Sequence, residues 1–157
     1  MVKRTSFEKA ECPIARSLDA IGDWWSLLII RDALLGARRF GEFQKSLGCA
    51  KNILTVRLRT LVDQGILKTA PASDGSPYQE YLLTPKGRGV FPVLVALRQW
   101  SEEFSGERDG FATLLVDRNK GRPVRKLELR ASDGRLLGDG DTAVRPNPKA
   151  RRRRLSA

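Results

Sequence analysis

Histidine is absent from the 157 residues, methionine occurs once and cysteine only twice. The missing imidazole removes His-based triads, His general bases and His metal ligands. No activating base stands beside a candidate nucleophile, so there is no catalytic constellation, and the chain is expected not to be an enzyme. No cysteine follows Cys49, which excludes a cysteine-ligated metal in the C-terminal part on ligand count. Gly138-Asp139-Gly140-Asp141 lacks the further acids of a calcium loop and reads as a plain turn. Neither metal nor cofactor is expected. Long apolar runs are missing as well. The longest, residues 24–30, contains Ser26 and is too short to span a bilayer. Residues 1–15 mix Lys3, Arg4, Glu8, Lys9 and Glu11 with no apolar core, unlike a signal peptide. The expectation is a soluble, cytoplasmic protein with no membrane partner, in which Cys12 and Cys49 rest as thiols.

Acids are outnumbered: 18 Asp and Glu face 29 Lys and Arg, giving a net charge of +11. Arg145, Lys149 and the four arginines 151–154 supply six of those charges, and no acid follows Arg145. The rest of the chain keeps +5 and is basic in its own right. Such a balance points to nucleic acid ahead of an anionic membrane. The 41% of hydrophobic residues is enough for a packed core, so a wholly disordered chain is excluded.

Residues 39–81 organise the chain. Phe40, Phe43 and Leu47 fall at i, i+3 and i+7, which predicts a short amphipathic helix. Gly48-Cys49-Ala50 then turns the chain into a second helix, where Leu54, Leu58, Leu61 and Val62 form one apolar stripe and Gly65 is the stop. Two short helices around a glycine-bearing turn are the pattern of a helix-turn-helix. Residues 66–83 add two short apolar segments around Asp74-Gly75 and Pro77, which are turn residues; they predict a hairpin with a polar tip. The sum is a mainly α fold with a small β-wing, a winged helix-turn-helix. Its partner is expected to be double-stranded DNA.

The polar side of the second helix carries Asn52, Val56 and Arg59, with Thr55 at the edge. Asn suits a bidentate contact to adenine and Arg one to guanine, while Val and Thr methyls suit the thymine methyl. Lys51 sits in the first turn, where a phosphate also meets free backbone N–H groups. Arg39, at the head of the first helix of the pair, and Lys68, in the wing, complete the expected DNA-binding set. A solvated face is the commoner fate of such residues; the cationic face, the paired helix and the wing favour DNA.

Upstream, Pro13 suits the first turn of a helix with Ile14, Leu18 and Ile21 on one face, and Gly22 breaks it. Asp23 is a good N-cap for a mostly apolar helix over 24–35, expected at the centre of the domain with Trp24 and Trp25 in core or interface packing. Residues 37–40 are expected to add a short third strand to the wing's sheet. Downstream, Thr84-Pro85 caps a helix that Gly87, Gly89 and Pro92 weaken, so that it begins in earnest at Phe91. Its apolar surface exceeds what one face needs. Phe91, Leu94, Leu97 and Trp100 are therefore the expected contacts of a homodimer.

Residues 111–116 and 124–129 read as strands, 132–135 as a hairpin turn and 142–145 as a further short strand. The expected organisation is a DNA-binding and dimerisation domain over 1–105, a small β-rich extension over 106–145 and a disordered basic tail over 146–157. The tail would also clamp DNA non-specifically through its charge.

Several ordered segments resemble the signatures of the HxlR family of bacterial transcriptional regulators. They are Cys12-Pro13-Ile14-Ala15-Arg16, Ile21-Gly22-Asp23-Trp24-Trp25, Gly36-Ala37-Arg38-Arg39-Phe40 and Tyr81-Leu82-Leu83-Thr84-Pro85. The resemblance covers about residues 12–104. It implies a homodimer in which the first and last helices form the interface, with Ile14 and Leu18 as the first helix's contacts, and each subunit reads half of a palindromic operator. It further implies a response to oxidants, electrophiles or a small aromatic effector. The family wing commonly carries a basic residue about where Tyr78 stands; Lys68 is the substitute here. Cys12 matches the N-terminal cysteine of redox-sensing members, and Cys49 lies close to a second cysteine of some relatives. The resemblance thus makes both redox candidates, with an intersubunit Cys12–Cys49 bond as one form of the switch. Two reduced thiols serving as small apolar residues are the alternative. The competing reading of the whole chain is a winged-helix RNA-associated or protein-interaction module without operator specificity. It lacks the exposed sheet aromatics or Gly-rich clamps of RNA modules.

Overall fold

Pro13 opens the first helix, α1 (Pro13–Ile21), and Gly22 closes it. The computed structural model describes residues 6–106 and 110–148, and the chain divides into two units, Met1–Arg108 and Asp109–Ala157. In the first unit, Asp23 caps α2 (Trp24–Leu34) by accepting from the Ser26 backbone N–H at 3.0 Å and from its hydroxyl. That helix packs against α1, α3 (Phe40–Leu47), α4 (Lys51–Asp63), α6 (Phe91–Phe104) and the second wing strand, with Ile29 and Ile30 fully buried. It is the hub of the domain, as its apolar composition predicts. The two tryptophans part company: Trp25 packs against the core, whereas Trp24 is exposed.

The helix pair and wing follow the sequence pattern. Gly48 ends α3 in the left-handed region at φ 63°, a conformation that glycine adopts without a Cβ penalty. Strands β1 (Leu67–Pro71) and β2 (Gln79–Leu83) pair antiparallel, with Leu67 opposite Leu83 and Pro71 opposite Gln79. Gly75, at φ 74°, and the Asp74 carboxylate, which accepts from the Ser76 backbone N–H at 3.1 Å, shape the tip. The expected third strand is reduced to one bond: the Tyr81 backbone N–H donates to the Arg38 carbonyl at 2.7 Å. The sheet has two strands. A single residue passing the edge of β2 gives one bond and no ladder. The first unit is thus mainly α with a small β-wing, a winged helix-turn-helix.

After the wing, Thr84 caps the short helix α5 (Pro85–Arg88) by accepting from the Gly87 N–H. Its hydroxyl also donates to the Gly65 carbonyl at 2.6 Å, and Lys86 Nζ donates to the Gln64 carbonyl at 2.6 Å. These bonds satisfy carbonyls left open at the end of α4. Gly87, which weakens the helix by propensity, is needed by packing. A Cβ there would run into the Ile66 carbonyl oxygen and approach Leu83 Cδ2 to 2.8 Å. Gly87→Ala is therefore expected to lower stability by about 1–3 kcal/mol. Gly41→Ala in α3, where a Cβ meets nothing within 4 Å, should raise it by up to about 1 kcal/mol. Thermal melts of the two variants test this, and an unchanged or higher midpoint for Gly87→Ala would contradict the close approach.

The second unit departs from the expected β-rich extension. Among its described residues the only strand-like pairings are isolated bridges, Val116 with Pro123 and Arg130 with Leu136, and a 3-10 turn lies at Asp139–Asp141. The segments over 111–116 and 124–129 meet only at the bridge beside Pro123, where the Val124 N–H donates to the Leu115 carbonyl at 3.0 Å, and no ladder continues from it. The turn at 132–135 is present: Gly134 has φ 88°, and the Ala131 N–H donates to the Arg135 carbonyl at 2.9 Å. Residues 142–145 form no strand. The expected disorder and clamping of the tail fall largely on residues 149–157, outside the described residues.

Candidate nucleic-acid interface

The apolar stripe of α4 points inward and leaves its polar row outside. Leu54, Leu58 and Leu61 are buried to within 1% of complete, while Lys51, Asn52, Thr55, Val56 and Arg59 are all exposed. Asn52, Val56 and Arg59 thus share the outer face that the helical period assigns them, and Thr55 lies beside them with its hydroxyl donating to the Lys51 carbonyl at 2.8 Å. No acid occurs in α4 before Asp63. Ala50, at the N-cap, offers no side-chain acceptor, so the first-turn amides next to Lys51 keep their hydrogen-bonding capacity for an anion.

The second helix is fixed from two sides. Arg57 Nε meets the Asp23 carboxylate at 3.2 Å, joining α4 to the cap of α2, and the carbonyls at its C-terminal end are held by Thr84 and Lys86. Neither tie is visible in sequence, because the partners lie about 20 to 34 positions apart with no periodic signal. Lys68 is exposed on β1 opposite Leu82. Tyr78, also exposed, lies beyond the start of β2 near the tip.

Arg39 has surroundings unlike those expected of a phosphate contact. Its guanidinium Nη2 stands 2.6 Å from the Asp74 carboxylate at the wing tip and 3.9 Å from Glu80, and its side chain is only 33% exposed. Glu80 is 4% exposed and accepts from the Ser73 hydroxyl at 2.8 Å and the Ser73 N–H at 3.2 Å. Arg38 reaches the same carboxylate at 3.6 Å. Glu42 accepts from the backbone N–H groups of Arg38 and Arg39 at 2.7 and 2.9 Å. Each acid is held below its ordinary value: Asp74 chiefly by the Arg39 guanidinium, Glu80 by Ser73, and Glu42 by the two amides. With folded values below unfolded ones, the cluster stabilises the fold above the ordinary carboxylate range, about pH 4, and this is lost only as pH falls through the folded values. At neutral pH the cluster is fully ionised.

The cysteines occupy opposite environments. Cys12 is exposed just ahead of α1, whereas Cys49 is 7% exposed among the core residues and not on an open helix terminus. Ile14, Leu18, Phe91, Leu97 and Trp100 are exposed apolar side chains, and Leu94 differs by being half-buried and packed against the core. Among the described residues there is no group of three or more potential metal ligands and no helix long and apolar enough to cross a membrane.

Comparison with known proteins agrees with this geometry. A mycobacterial relative, the uncharacterized HTH-type transcriptional regulator Rv3095 of Mycobacterium tuberculosis, is 39% identical over 97 residues. The match takes in 62% of this chain and 61% of the relative, so this chain spans under two thirds of that protein's length. Among solved structures, the candidate transcription factor PA1607 superposes with a TM-score of 0.86 at 55% identity, covering 91% of this chain and all of that one. The reduced form of the redox regulator HypR superposes with a TM-score of 0.55 at 29% identity, over 60% of this chain and 95% of that one. Rv3095 is described as a transcriptional regulator, PA1607 as a candidate transcription factor and HypR as a redox regulator, none of them as an enzyme. The family model for the HxlR-like helix-turn-helix matches residues 20–109, more than half of the sequence. The chain belongs to the HxlR-like helix-turn-helix family.

Proposed function

We propose that this protein is a sequence-specific DNA-binding transcriptional regulator acting as a homodimer on a palindromic operator. The exposed, acid-free row of Asn52, Thr55, Val56 and Arg59 carries the reading. It lies on a helix whose opposite face is locked into the core and which is flanked by a wing. The row has the donors and methyl groups that distinguish base pairs in a major groove. Its first turn and Lys68 supply phosphate contacts that set register. The large apolar side chains exposed on α1 and α6 support the dimer. Two-fold symmetry of the protein then matches two-fold symmetry of the site.

Arg59→Ala and Asn52→Ala are each expected to cost about 1–3 kcal/mol of operator affinity and to relax the base preference at one position. Fluorescence anisotropy on the operator and on random duplex measures both. An equal loss on the two DNAs would remove the base-reading role, and failure of the unmodified protein to prefer any duplex over structured RNA would favour the RNA-associated alternative.

The accessible thiol of Cys12 supports an oxidant as the input. Cys12 is exposed just ahead of α1, a helix of the proposed dimer surface. Cys49, enclosed in the core, is reached second. The redox regulator HypR, solved in reduced and oxidised forms, is a structural relative in which such an input has a precedent. Diamide treatment followed by a non-reducing gel should give a covalent dimer that Cys12→Ser abolishes; unchanged migration removes the cysteine input.

A further inference from the structure

The charges around the wing tip assign Arg39 a different task from phosphate binding. Arg38 and Arg39 are surrounded by Glu42, Asp74 and Glu80, so two cations face three carboxylates and the cluster is negative overall. A phosphate gains little there. The partners come from three places in the chain: the head of α3, the hairpin tip and β2. Tyr81 adds a backbone bond to Arg38. A lone surface pair would contribute little, but this one is networked through Glu80, which is 4% exposed and anchored by Ser73.

We infer that Arg39 and Asp74 are positioning residues: their ion pair, braced by Glu80, fixes the wing tip against the start of the helix-turn-helix. The hairpin and α4 then meet DNA as one preset surface. A free hairpin must be ordered on binding, and that ordering weakens the complex; the lock removes the cost beforehand. The inference rests on the DNA-binding reading above.

Opposite signs separate the two roles of Arg39. Removing an acid from a DNA-binding surface ordinarily tightens binding, because repulsion of phosphate falls. Asp74→Ala is instead expected to weaken operator binding by roughly threefold to thirtyfold, and Arg39→Ala by a similar factor. The double variant should be no weaker than either single one, since both break the same contact. Amide hydrogen exchange in the free, full-length protein should quicken across residues 72–78 in each variant, with little change in α2. If Asp74→Ala binds as tightly as the parent or more tightly while Arg39→Ala loses about one unit of salt slope, Arg39 is a phosphate contact and the lock is wrong. Unchanged exchange at the tip also overturns it. A parent protein that binds no duplex overturns the DNA-binding reading and leaves the exchange measurement to decide the lock.

Discussion

Trp100→Glu is expected to yield a folded monomer whose operator affinity has fallen roughly a hundredfold or more. Trp100 is 64% exposed on α6 and stacks at a tilt with Phe104, its ring centroid 6.0 Å away. Val93, Leu97 and Phe104 share its side of the helix at helical spacing, and Ile14, at 70% exposure, and Leu18 offer a similar strip on α1. Tryptophan at the middle of such a surface is the residue type that most often dominates association. A carboxylate in its place would be buried without a partner in the dimer yet remain solvated in the monomer, so assembly fails and folding does not. Leu94 is the poorer site for this experiment, because it packs on the core and its loss would mix unfolding with dissociation. The hundredfold figure follows from losing the second half-site, which in the dimer binds at high effective concentration. Light scattering, a melting curve and anisotropy on one preparation give the three readouts. A parent protein that is monomeric at micromolar concentration would sink the dimer.

The other large effect is on stability. Leu58→Ala should cost about 2–5 kcal/mol, because Leu58 is 1% exposed, with Leu54 and Leu61 equally enclosed along α4. A domain of this size has about 5–15 kcal/mol in total, so the variant sits near its unfolding threshold at 37 °C. Urea titration measures the change. Operator affinity extrapolated to fully folded protein should stay close to that of the parent, since the outer row is untouched. A loss under about 1 kcal/mol would mean that α4 is not held by its inner stripe.

The helices were readable because each depends on neighbours in sequence. Pro13, Asp23 and Thr84 mark helix starts by local chemistry, and the leucine stripe of α4 declares its buried face by spacing alone. The wing was readable because Asp74 and Gly75 form a turn from their own backbone and side-chain preferences. What was not legible depends on distant partners. Residues 111–116 and 124–129 have the composition of strands, but a ladder needs a partner in register, and they meet only at one bridge. Arg39 has the charge of a phosphate ligand, and its ion pair with an acid 35 positions away carries no signal in the sequence. Cys49 lies between two helices, and only the packing of the turn shows that its thiol is enclosed in the core. In each case residue type suggests a property that only the tertiary neighbour decides.

Two thiols of such different accessibility also make the molecule its own stability gauge. A maleimide dye should label Cys12 within the mixing period. Cys49 can react only when the turn between α3 and α4 opens, so its labelling rate counts those openings. With no third cysteine to confuse the trace, a Cys12→Ser protein gives a single slow phase. Bound operator should slow that phase by the factor with which it holds the helix pair shut. The same chain thereby reports the breathing of its DNA-reading half in the free and bound states, with no label added to the reading surface.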